Sequence, residues 1–174
     1  MEKKILIIYA PQGGYTEKIA FEMSKKFTTF SCALISGIDL TNENLDNYSN
    51  IIIGIATLGN DAWNSKNQDP DSANIQKIIS QYDFSDKNIA LFGLGNSILY
   101  PSHFVDDMGI YEEQLLKQNA KIIGYTNSKN YTFKDSKALR GEFLCGLAID
   151  NDTEPEKTND KISQWISDLI KQLK

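Results

Sequence analysis

Apolar runs of strand length alternate along this chain with segments of helical period. A chain so patterned buries its apolar surface as successive βα units around a parallel sheet. The runs are Lys4 to Tyr9 (KILIIY), Cys32 to Ile35, Ile51 to Ile55 (IIIGI), Ile89 to Gly93 (IALFG) and Ile122 to Tyr125, with a continuation at Phe143 to Ile149 (FLCGLAI). Between them, Ile19, Ala20, Met23 and Phe27 share one helical face, and Phe104, Met108, Tyr111 and Leu115 repeat at intervals of four, three and four. After the acidic stretch Asp150 to Glu156, Ile162, Trp165, Ile166, Leu169, Ile170 and Leu173 mark a last amphipathic helix. The polar stretch Thr126 to Glu142 carries no helical stripe and looks inserted into a strand. At 174 residues, 41% of them hydrophobic, there is material for one core, and two domains would be crowded. The expected fold is therefore α/β: a single domain over residues 1–174, built as an open five-stranded parallel sheet with helices on both faces and an insertion in the last strand. Such a sheet holds its ligand at the carboxyl ends of its strands, where strand order reverses, so chemistry is expected in the loops after Tyr9, Ile55 and Gly93.

Charge and cysteine content narrow the partners. Eighteen Lys plus Arg against 23 Asp plus Glu give a net charge of −5, with no basic run to track a phosphate backbone, so nucleic acid is excluded as the expected partner. Cys32 and Cys145 lie far apart inside apolar runs and suggest neither a disulfide framework nor a thiolate metal site, which fits a reducing compartment. Two lysines and then only four apolar residues, Ile5, Leu6, Ile7 and Ile8, come before Tyr9, too few for a signal-peptide core, and no run approaches the ~18 apolar residues of a membrane span. The expected location is the cytoplasm, with no membrane contact.

The first loop, Ala10-Pro11-Gln12-Gly13-Gly14-Tyr15-Thr16-Glu17, joins a buried strand to a helix and carries two glycines and a hydroxyl. Glycines let successive N–H groups point into one concavity, and the helix N-terminus adds partial positive charge, so an anion such as phosphate suits the turn. The loop has no lysine and does not match the triphosphate-binding P-loop, which leaves a terminal monophosphate. A tight strand-to-helix turn capped by Thr16 accounts for the same residues.

With these loops in view, the chain resembles the long-chain flavodoxins over essentially its whole length. The first turn matches their phosphate loop. Ala56-Thr57 matches the start of the second flavin loop, and Gly93-Leu94-Gly95-Asn96 through Tyr100 and Phe104 match the third. Tyr131-Thr132-Phe133, Ser136-Lys137-Ala138 and Phe143 to Asp150 (FLCGLAID) resemble the insertion and final strand of that group. The resemblance implies a flavodoxin-like fold that binds FMN non-covalently and passes single electrons at low potential. It assigns Gln12, Gly13, Gly14, Tyr15 and Thr16 to the phosphate, and Thr57, Leu58, Gly59, Gly95, Asn96 and Tyr100 to the ring, with Tyr100 stacked on the outer face.

Several positions depart from the family pattern. Pro11 and Gly13 stand where hydroxyl residues are usual, and Pro11 also lacks an N–H. At ~1 kcal/mol or more per lost hydrogen bond to a charged group, this would weaken FMN by a factor of tens to hundreds. Leu58 replaces the inner-face tryptophan; Trp63 either folds back over the ring or stays an exposed loop residue. Asn96 stands where many relatives carry aspartate. His103, the sole histidine, is expected to be exposed near a helix start, with a proton-carrier role as the alternative. Asp61, Asp69 and Asp71 are expected to form a solvated acidic loop and a docking surface for a basic partner.

The function implied is an electron carrier rather than a stand-alone enzyme, since no catalytic constellation is visible. It would be a monomer with redox proteins, a reductase or oxidoreductase, as donor and acceptor. The alternatives are a flavodoxin-like FMN-dependent reductase acting on a planar substrate such as a quinone or tetrapyrrole (haem), and a module that has lost FMN.

Overall fold

The computed structural model describes residues 3–57 and 69–174. Strands β1 (Lys4–Ala10), β2 (Ser31–Ser36), β3 (Asn50–Ala56), β4 (Asn88–Leu94) and β5 (Lys121–Ile123) form a parallel sheet in the order β2-β1-β3-β4-β5. The chain winds outward from β1 in both directions, so the order reverses between β1 and β3, where Leu6 pairs with Ile51 and Ala10 with Ile55. Alternation along the strands supplies two cores. Leu6, Ile8, Ile51, Ile53, Ile89 and Leu91 face helices α3 (Pro70–Ile79) and α4 (Asp106–Lys117), where they meet Ile75, Ile79, Met108, Tyr111 and Leu115. Ile5, Ile7, Ile52, Ala90 and Phe92 face α1 (Tyr15–Lys26) and α5 (Pro155–Leu169), meeting Ile19, Met23, Ile162, Trp165 and Leu169. A short helix, α2 (Asn42–Asp46), opens on a reciprocal cap between Thr41 and Asn44.

The expected insertion is present, and it divides the fifth lane of the sheet. Its lower half is β5, which pairs with Asn88 to Ala90 of β4. The upper half, β9 (Leu147–Ile149), pairs with Phe92 to Leu94. Between them the chain makes a small antiparallel sheet of β6 (Thr126–Asn127), β7 (Leu139–Arg140) and β8 (Phe143–Leu144), in the order β6-β8-β7. Two glycines explain why the strand boundaries differ from those read in the sequence. Gly124 takes φ +79°, a left-handed turn that ends β5 before Tyr125. Gly146 lies so close to the Leu91 backbone carbonyl that a side chain there would collide with it, and this separates FLCGLAI into β8 and β9. The stripe beginning at Phe104 likewise starts ahead of its helix, because Val105, at φ 50°, precedes the first turn of α4.

Candidate functional site

At the carboxyl end of β1 the chain turns into α1 through Pro11 to Gly14. Gly13 holds φ +77°, and beyond both Gly13 and Gly14 the space a Cβ would occupy is empty, so a ligand can approach the backbone itself. Gly14 is the N-cap of α1 and offers no side chain to the first turn, which leaves the amides of Tyr15, Thr16 and Glu17 without a side-chain cap. Thr16 is buried at the base of this turn. The amides just upstream are already engaged by carboxylates. Gln12 N–H donates to Asp71 Oδ2 at 3.0 Å, and Gly13 N–H donates to Glu17 Oε2 at 2.5 Å. Asp71 also accepts Ile38 N–H at 2.8 Å, tying the first loop to the segment after β2.

The expectation that Asp69 and Asp71 belong to a solvated acidic loop is corrected by this geometry. Asp71 is only 3% exposed, and Asp69 caps α3 by accepting Ser72 N–H at 2.9 Å. Both are helix-start acids, where the macrodipole and open amides favour a carboxylate. Asp61 and Trp63 lie outside the described residues, as do Leu58 and Gly59.

Beyond β4 the third loop is held in shape by its own polar groups. Asn96 Oδ1 accepts the amides of Ile98 (3.2 Å) and Leu99 (2.8 Å), a side-chain-closed turn. Asp150 accepts both the amide (2.8 Å) and the hydroxyl (2.5 Å) of Ser97. A side chain at Gly95 would press on Phe104 and Val105. The insertion braces the far side of the loop: Pro101 O accepts Lys134 N–H (2.7 Å) and Asp135 N–H (3.0 Å), and Ser136 Oγ donates to Phe104 O (2.5 Å). The result is a tip on which Ile98, Leu99 and Tyr100 stand exposed, Tyr100 by 44%.

The three loops enclose a cavity of about 330 Å³, within the size range of small-molecule sites. Of the residues expected at the site, Gly14, Tyr15, Thr16, Thr57, Gly95, Asn96 and Tyr100 line it together. Gln12 and Gly13 stand outside its wall. Pro11, Ala56 and Leu94 line it as well, and so do three residues that sequence reasoning overlooked, Leu99, Asn151 and Asp152. The signal for the last two was available, since the loop after the final strand opens on the same end of the sheet. Asp152 matters for the charge of the site: its Oδ2 accepts Asn96 Nδ2 at 3.2 Å, so a carboxylate is present beside the very position where the chain carries asparagine.

His103 is half-exposed ahead of α4 and away from the cavity wall, its Nδ1 2.9 Å from Asp106 Oδ2. Thr57 Oγ1 accepts Asp107 N–H at 3.3 Å, which fixes the end of β3 to the start of α4. Burial, with Asp106 and Asp69 nearby, pushes the Asp107 carboxyl up to about 6, against the opposing pull of Lys137. Asp150 behaves in the opposite way. Burial pulls its pKa up, but the hydrogen bonds from Ser97 and Thr153 outweigh it and hold the carboxyl below its ordinary value.

Comparison with known proteins gives a consistent result. The sequence model of the family described as Flavodoxin matches residues 7–165. A flavodoxin from Nostoc sp. is 34% identical over 171 residues, covering 97% of this chain and 96% of its own. Another, from Synechococcus elongatus, is 33% identical over 167 residues and 95% of each chain. The crystal structure of Fusobacterium nucleatum flavodoxin bound to flavin mononucleotide superposes with a TM-score of 0.86 over 99% of both chains, and at 24% identity that likeness concerns the fold alone. With the family pattern running nearly end to end and relatives a third identical over at least 95% of their length, this chain belongs to the flavodoxin family.

Proposed function

We propose that this chain binds flavin mononucleotide non-covalently and carries single electrons at low potential between a donor and an acceptor redox protein. The observation that carries this reading is the cavity itself, which has an uncapped helix N-terminus suited to a phosphate at one end and the Tyr100 ring at the other. The donor set fits the group. In this reading the amides of Gly14, Tyr15 and Thr16, with the Thr16 hydroxyl, hold the phosphate, while Gln12 and Gly13 shape the turn. Thr57, Leu58, Gly59, Gly95 and Asn96 flank the ring, and Tyr100 covers its outer face. The flavin supplies the one-electron chemistry, and the protein sets how readily it runs. The Asp152 carboxylate and the net charge of −5 oppose added negative charge at the ring, which favours a low potential.

The same proposal covers the rest of the chain: one domain over residues 1–174, a monomer of the long-chain group, working in the cytoplasm. Among the described residues no helix is long and apolar enough to cross a membrane. The reductase alternative depends on Leu58, outside the described residues, and the alternative of a lost cofactor depends on Pro11 and Gly13. Titrating FMN into the apoprotein tests the reading directly. Quenching of flavin fluorescence is expected, and Thr16→Ala should weaken binding by about tenfold, the worth of one hydrogen bond to a charged group. A parent protein that leaves flavin fluorescence unchanged at tens of micromolar would sink it.

A further inference from the structure

The first loop contains an anion before any ligand arrives. Glu17 is the third residue of α1, and from that position a glutamate reaches back over the helix start, as in a capping box. In a capping box the N-cap side chain returns the favour, but Gly14 has none. Glu17 instead passes the N-cap and takes the Gly13 amide at 2.5 Å, while its other oxygen accepts the Tyr9 hydroxyl at 3.3 Å. Asp71 takes the neighbouring Gln12 amide, yet the two carboxylates differ in freedom. Asp71 is buried and bridges two backbone segments, so it is fixed by the fold. Glu17 is half-buried and contacts an exposed amide, so a rotation about its own side chain releases Gly13.

We propose that Glu17 sets how strongly this site prefers a phosphorylated flavin: its carboxylate, anchored on the Gly13 amide at the rim of the turn, keeps a like charge beside the amides of Gly14, Tyr15 and Thr16 that would take a phosphate. The inference rests on the FMN reading and refines its specificity. A phosphate entering the turn must displace Glu17 or share the turn with it, and either choice discards part of the attraction that the helix N-terminus offers. The ring and ribityl portions of the ligand, which in the FMN reading would be held by Thr57 and Tyr100, would be unaffected. The terminal phosphate therefore adds less to affinity here than the shape of the loop allows.

The test compares FMN with riboflavin, which lacks the phosphate, in the parent and in Glu17→Gln. Glutamine keeps the length of the side chain and removes its charge. The dissociation constant for FMN should fall by about tenfold, equivalent to about 1.4 kcal/mol, while that for riboflavin stays within about twofold. In the apoprotein alone, the Gly13 amide proton should move upfield in the variant, because it loses a charged acceptor. Unchanged or weaker FMN binding by Glu17→Gln, with riboflavin binding intact, would overturn the role of Glu17 and leave the FMN reading standing. A Gly13 amide shift identical in the two apoproteins would overturn it as well. If a folded parent binds neither flavin, the FMN reading itself fails, and the proposal falls with it.

Discussion

Asp107 and Asp150 stand near the carboxyl edge of the same sheet, and the difference between them lies in their neighbours. Asp150 receives hydrogen bonds from Ser97 and Thr153, and with a depressed pKa it contributes stability above the unfolded value of about 4, which is lost as pH falls below that. Asp107 is desolvated beside two other acids, and its carboxyl is raised to about 6. For a carboxyl with a raised folded pKa, the folded state binds the proton more tightly. Stability is then highest below about 4, falls as pH rises toward 6, and is level above that. Asp107→Asn should therefore stabilise the protein at pH 7, by something on the order of 2 kcal/mol, and change little at pH 4. Urea unfolding of parent and variant at the two pH values measures this directly, and an equal effect at both would show that charge burial is not the cause.

At the scale of elements, the joint between α4 and the insertion is the feature most exposed to a single substitution. Glu112 of α4 is fully buried; its Oε1 accepts the Tyr125 hydroxyl at 2.5 Å, and its Oε2 lies 2.6 Å from Arg140 Nη2 on β7. Burial, then Glu112, raises the Tyr125 phenol above its ordinary value, so it stays a donor at neutral pH. Removing one partner of such a pair leaves the other charge buried without compensation. Because the Arg140 side chain is one-third exposed, Arg140→Leu should cost about 2 to 3 kcal/mol, less than a fully buried pair would. Hydrogen exchange should show the loss first in the amides of β7 and β8, ahead of the main sheet. The insertion also holds the third loop through Pro101 and Phe104, so the same variant should bind FMN more weakly.

For the whole molecule, the ligand and the fold share one free energy, because the cavity is built from loops that only the assembled sheet brings together. FMN at a hundredfold excess over its dissociation constant should add about 2.7 kcal/mol to unfolding and raise the melting temperature by roughly 5 to 10 °C. A melting temperature insensitive to FMN would place any flavin contact outside the native state. Much of this architecture is legible in the chain itself. Continuous apolar runs and period-3.6 apolar stripes are local, so the five lanes, the helices between them and the polar excursion at 126–142 can be read without knowing what lies opposite. The cavity's place follows as well, because a strand order that reverses opens a crevice at its carboxyl edge. What the chain conceals is which amides remain free for a ligand and where charge sits around it. Those features depend on pairs remote in sequence, Gln12 with Asp71 across 59 residues and Asn96 with Asp152 across 56. No local pattern encodes such a pair. A carboxylate reads as solvated until the fold buries it against an open N–H, and only the tertiary structure decides that Asp71 is such a residue.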